Sequence, residues 1–163
     1  VLKDILIKDV FQVERALDYT QSQMGVEISW SSNSTIIKKQ VVSPSHEALI
    51  ACVSKSFEEI VLIYSSLRDS DSSHGAAIFN PDGSTRVKLT FPKLISPEYL
   101  FHERVAGPEK ATKDLRFINC FFKQELNQEK LLFWIRFKYD FFEVREVDRQ
   151  TGEFGRCLGV SRQ

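Results

Sequence analysis

The sequence predicts an α+β domain: an antiparallel sheet packed against a long helix and shorter helices, closed by a C-terminal β-hairpin. Three observations predict it. Apolar and polar residues alternate near both ends of the chain, as half-buried strands require. Between residues 43 and 68 the apolar residues recur instead at spacings of three, four or seven. A similar change of period follows Ala111.

In chain order, "ILIKDVFQVE", "VEISW" and "STIIKKQVV" read as antiparallel strands, the last two joined across a polar turn at 31–33. Ser43-Pro44 then supplies an N-cap with proline at the first helical position. Leu49, Val53, Ile60, Tyr64 and Leu67 form the apolar stripe of a helix that runs to Arg68. "DSDSSHG" is a loop by composition. Ala76-Ala77-Ile78-Phe79 is a strand, reversed by Asn80-Pro81-Asp82-Gly83 and followed by "TRVKLTF". The turn chemistry is strong, because Pro81 pre-sets φ, Asn80 and Asp82 bond their own backbone, and Gly83 accepts a positive φ. Residues 92–108, with three prolines, read as an irregular surface segment holding a short helix near Tyr99. Leu115, Ile118, Phe121, Phe122 and Leu126 fit an amphipathic helix, and "EKLLFWIRF" fits a second short helix or a buried strand. "FFEVREV" and "CLGV" flank "DRQTGEFG" as a strand pair.

A length of 163 residues suits one domain, 1–163, and a start at Val1 reads as a domain excised from a longer polypeptide. Basic and acidic residues number 22 each, so any contact with nucleic acid must be local. No apolar run approaches membrane-spanning length, and no membrane partner is expected. Cys52, Cys120 and Cys157 are odd in number and widely spaced, which argues for reduced thiols and against a disulfide framework or a structural zinc.

No P-loop, dinucleotide fingerprint, nucleophile elbow or His-Glu-x-x-His motif is present, so catalysis is unsupported and no cofactor is expected. Asp69, Asp71 and His74 share a polar loop that reads as solvated rather than as a metal site. A binding reading remains. Alternation puts Ile78 and Phe79 on opposite faces, so with Ile78 in the core Phe79 faces outward at the rim. Two rings can clamp a methylated, positively charged guanine, with stacking worth about 1–3 kcal/mol per base. Phe79 is one candidate half and Trp30 the other; the plainer reading makes each an aromatic capping the end of the core. Lys55 falls mid-helix, either facing the guanine edge or paired with Glu59 on a solvated face.

The runs "EALIACVSKSFEEIVLIYSSLRD", "AAIFNPDG", "LRFINCFFKQELNQEKLLFWIRF" and "GRCLGVSR", in that order, resemble the middle domain of polymerase basic protein two of influenza-like orthomyxoviruses. The likeness spans about residues 26–163 in pattern, with sparse identities, as in a distant thogotovirus-type relative. The resemblance implies a cap-binding fold in a viral RNA polymerase subunit, in the host nucleus and the virion. It implies recognition of the methylated guanosine cap of host messenger RNA for cap-snatching, and the other polymerase subunits as partners. On that match Phe79 and Trp30 are the stacking pair and Lys55 contacts the guanine edge. Lys113 and Arg116 fall at the family's phosphate side. Ser34 falls near the family's guanine-binding Glu, and losing that charged hydrogen bond costs about 1.5–3 kcal/mol. The alternative implied is the same fold with cap binding weak or lost, kept as a structural and interaction module of the polymerase. A third reading is an unrelated host-side interaction domain whose pattern match is accidental.

Overall fold

A computed structural model describes residues 1–68 and 73–162, the side chains of 73 and 74 excepted. Among these residues 54% are strand and 9% helix, and no long helix is present. The expected α+β class is therefore corrected to a mostly β fold.

The chain opens with β1 (Lys3–Lys8), β2 (Glu14–Ala16), β3 (Gln23–Gly25), β4 (Glu27–Ser32) and β5 (Thr35–Gln40). Next come β6 (Leu49–Val53), β7 (Ile60–Ser66), β8 (Ser73–Phe79) and β9 (Thr85–Leu89). Two helices follow, α1 (Pro97–Ala106) and α2 (Pro108–Ala111), before β10 (Arg116–Glu125), β11 (Gln128–Lys138), β12 (Phe141–Val147) and β13 (Phe154–Arg162). The strands form a first sheet β2-β1-β4-β5, a central sheet β3-β6-β7-β8-β9 and a third sheet β10-β11-β12-β13. Two apolar clusters hold the layers together. One joins the first sheet to the central sheet, and the other joins the central sheet to the third sheet and α1.

The central sheet is thus apolar on both faces, and this explains the misread helix. Leu49, Val53, Ile60, Tyr64 and Leu67, the expected helical stripe, all lie in the cluster against the first sheet. Steps of four are even, so they keep one face in a strand as well as in a helix. The residues between them, Cys52, Val61 and Ile63, are also buried, against the third sheet. With both faces covered, the period-two alternation disappears from the sequence.

The expected helix after Ala111 is β10, for a different reason. A register shift between Phe117 and Asn119 inserts an extra residue, so Phe117 and Cys120 face the same core three positions apart. Phe121 points the other way, edge-on to Trp134 at 5.9 Å, and Leu126 is 99% exposed in the hairpin turn. The second alternative for "EKLLFWIRF", a buried strand, is the one found, as β11. The strands expected at "VEISW" and "STIIKKQVV", the helix near Tyr99 and the C-terminal strand pair β12–β13 stand as expected, whereas "ILIKDVFQVE" is divided by a turn into β1 and β2.

The turn at 80–83 also forms, with Asn80 N–H donating to the Ser84 carbonyl at 2.9 Å and Gly83 N–H to the Asn80 carbonyl at 3.0 Å. Gly83 sits at φ +89°, and a Cβ there would stand 2.7 Å from Ile37 Cγ2. Glycine is required both by the backbone and by the packing of the turn on β5. α1 is anchored by Glu143, whose buried carboxylate accepts from Ser96 N–H at 2.7 Å, and by Ser96, whose Oγ accepts from Tyr99 N–H. Neither helix among the described residues is long and apolar enough to cross a membrane.

Candidate functional site

One feature with the character of a binding site is a groove of about 370 Å³ over one end of the central sheet, where β10 begins. Gly75 on β8 forms its floor, Phe91 and Phe117 its aromatic wall, and Lys113 and Arg116 its rim. A second hollow of about 200 Å³ shares Gly75 and Phe91 and adds Lys88.

Each part has a local cause. Phe91 follows the end of β9 and directly precedes Pro92, which holds it extended. It stacks on Phe117, ring centroids 4.3 Å apart and planes 19° apart, while remaining 38% exposed. Phe117 stacks in turn on Phe154 at 5.8 Å, and Phe133 meets both edge-on. The wall is therefore the outer end of a packed aromatic stack, and its position is held by the core. The floor is open because β8 has no side chain at Gly75. A Cβ there would meet nothing closer than the Leu89 carbonyl at 3.9 Å, and its φ needs no glycine. Lys113 lies in the turn that follows α2 and Arg116 is the first residue of β10, both exposed. Among the described residues the groove lining carries no carboxylate, so the rim is a local basic edge on a chain of zero net charge.

The residues singled out from sequence do not converge. Lys113 and Arg116 come together on the groove. Phe79 and Trp30 are instead core residues of the cluster between the first and central sheets, 3% and 1% exposed. The outward face expected of Phe79 is covered by the first sheet, with the Lys39 ammonium 4.8 Å from its ring centroid. Ile78 is equally buried on the opposite face, against the third sheet.

Lys55 sits not in a helix but in the turn between β6 and β7. It lies five residues beyond Ile50 of the groove, a span of about 16 Å in an extended chain. Its backbone N–H donates to Glu129 at 2.8 Å. Glu59 is not its partner: that buried carboxylate is held by Arg86 and Arg149. Ser34, at φ +68°, is part of the β4–β5 turn. Asp69, Asp71 and the His74 side chain lie outside the described residues. Among the described residues no cluster of His, Cys, Asp or Glu suits a metal ion.

Phe117 and Gly75 were the residues that sequence reading missed. Phe91 was visible only as the last apolar residue of a strand, with the following proline as its signal.

No family model, curated protein or solved structure matches this chain. The functional reading therefore rests on the groove itself. Its wall offers a ring surface for a flat or apolar group, and its rim offers two cations for an anion. Arg116 can hold a phosphate or carboxylate through two parallel N–H donors, and Lys113 adds a mobile point charge.

Proposed function

We propose that this chain is a binding domain whose groove takes a phosphate-bearing ligand with a flat, apolar body, the chemistry of a nucleotide or of an RNA end. One observation carries the reading: Lys113 and Arg116 stand on the rim of the groove walled by the Phe91–Phe117 stack. Stacking on an aromatic wall is worth about 1–3 kcal/mol per base, and charged hydrogen bonds about 1.5–3 kcal/mol each. Together these support a ligand bound by both ends.

The messenger RNA cap named by the sequence resemblance belongs to this chemical class, combining a flat methylated base with a triphosphate. Its proposed clamp does not carry the reading, because Phe79 and Trp30 are buried and Lys55 lies at the far end of β6. That burial favours a second reading, in which the matched aromatics serve the scaffold and the domain acts as an interaction module of a larger assembly.

The deciding experiment is a backbone NMR titration with guanosine, guanosine triphosphate and its 7-methyl analogue. Saturable shifts at Gly75, Phe91, Lys113 and Arg116 with the triphosphates, weaker with guanosine and reduced by added salt, are expected. Flat curves at millimolar ligand refute the groove assignment. Shifts confined to Trp30, Phe79 and Lys55 with the methylated ligand would return the site to the clamp.

A further inference from the structure

Two of the three thiols are placed together by the fold. Cys52 on β6 and Cys120 on β10 meet inside the core, Sγ to Sγ 3.3 Å apart, with exposures of 1% and 0%.

We propose that Cys52 and Cys120 are a modification site, a dithiol that oxidises to an intramolecular disulfide joining the central sheet to the third. The inference is independent of the groove and of its ligand.

Three features carry it. The sulfurs approach across two sheets that pack directly on each other, and the residues are 68 apart in sequence, so the contact is a product of tertiary structure. Both cysteines are paired in β-ladders, Cys52 opposite Val61 and Cys120 opposite Phe133 just past the bulge in β10, so neither sulfur is carried by a loop. A disulfide bond is about 2.05 Å long, so closure needs the sulfurs to approach by roughly 1.3 Å. Cys157, by contrast, lies on the edge strand β13, where its thiol contacts the Gly159 carbonyl at 3.7 Å.

With hydrogen peroxide as oxidant the chemistry balances. One thiol attacks the peroxide, breaking the O–O bond to give a sulfenic acid and one water. The second sulfur then displaces the sulfenic oxygen, which leaves as a second water with the remaining thiol proton. The thiols lose two electrons and two protons in total. Burial, and then the hydrogen bond with Cys120, push the Cys52 thiol well above its ordinary range. Attack is therefore slow in the folded state, and the pair stays reduced under brief exposure.

The test uses the full chain carrying Cys157→Ser, so that only the internal pair reports. The protein is equilibrated in oxidised and reduced dithiothreitol mixtures, starting from both the reduced and the oxidised form, with and without denaturing urea. The folded protein is expected to show an oxidised-to-reduced ratio at least about tenfold above that in urea, because the fold holds the sulfurs together. Sustained peroxide treatment should then give a monomer lighter by two hydrogens, with one peptide linking Cys52 to Cys120 and a raised Tm. A ratio equal to or below that in urea, cross-linked dimers alone, or a lowered Tm in the linked form would each overturn the proposal.

Discussion

The indole Nε1 of Trp30 donates to the Pro81 carbonyl at 2.7 Å, tying the first sheet to the turn that follows Phe79 on the central sheet. The two aromatics weighed as a ligand clamp thus meet through the scaffold. Phe79→Ala is expected to destabilise the fold by about 3–5 kcal/mol through the cavity it leaves. Trp30→Phe removes the donor and leaves the carbonyl without it, at a cost of about 1–3 kcal/mol. Urea unfolding followed by far-UV circular dichroism reads both. Unchanged midpoints would show that neither ring holds the layers together.

Glu59 links Arg86 of β9 to Arg149, which follows β12. Arg149 also pairs with Glu129 at 3.0 Å and lies 5.0 Å over the Phe122 ring. One carboxylate, its side chain 3% exposed, thereby joins three segments of the central and third sheets. Removing one partner of a buried ion pair leaves charge without compensation, so Glu59→Ala should cost about 3–5 kcal/mol. A loss under about 1 kcal/mol, the range of exposed pairs, would mean that water replaces the carboxylate there.

Gly75 provides a probe of the groove that leaves its charges in place. Space above its Cα is open, and its φ lies outside the left-handed region, so Gly75→Leu should fold with a Tm close to the parent and fill the floor. Nucleotide affinity is expected to fall at least about tenfold. Arg116→Ala should weaken binding by a similar factor and lessen its salt dependence. Full affinity in a folded Gly75→Leu protein would place the ligand elsewhere.

Acid stability should depend on Glu146, which accepts from Lys130 at 3.0 Å and Arg156 at 3.1 Å. The Lys130 hydrogen bond, followed by the charge of Arg156, holds its carboxyl below the ordinary value of 4.5. A lowered folded pKa means stability that is present above the unfolded value and lost as pH falls through the folded one. Glu146→Gln should therefore lower the urea midpoint at pH 7 and make it less steeply pH-dependent below about 4.5. Parallel curves for the two proteins would remove Glu146 from the acid transition.

Strands with one solvated face were legible in the sequence. β4 keeps its alternation, and the turn at 80–83 and the β12–β13 pair are written in local residue chemistry. The central strands were not, because a period of two requires one face to be polar and both faces of β7 are buried. β10 was obscured by its bulge, which changes the apolar spacing from two to three. Of the groove, Lys113 and Arg116 were singled out through a family resemblance, whereas Gly75 and Phe117 carry no local signal.

The sequence by itself determined what depends on near neighbours: the turn residues, the short helix behind Ser96-Pro97, the absence of net charge and the balance of apolar residues that a layered core needs. Tertiary structure alone decided which faces are covered. Phe79 became core because the first sheet lies over it, and Phe91 remained at the surface as the outer ring of a stack. The same layering brought Cys52 within 3.3 Å of Cys120. Burial is set by what packs on a residue across the fold, and local periodicity records only that a residue is apolar.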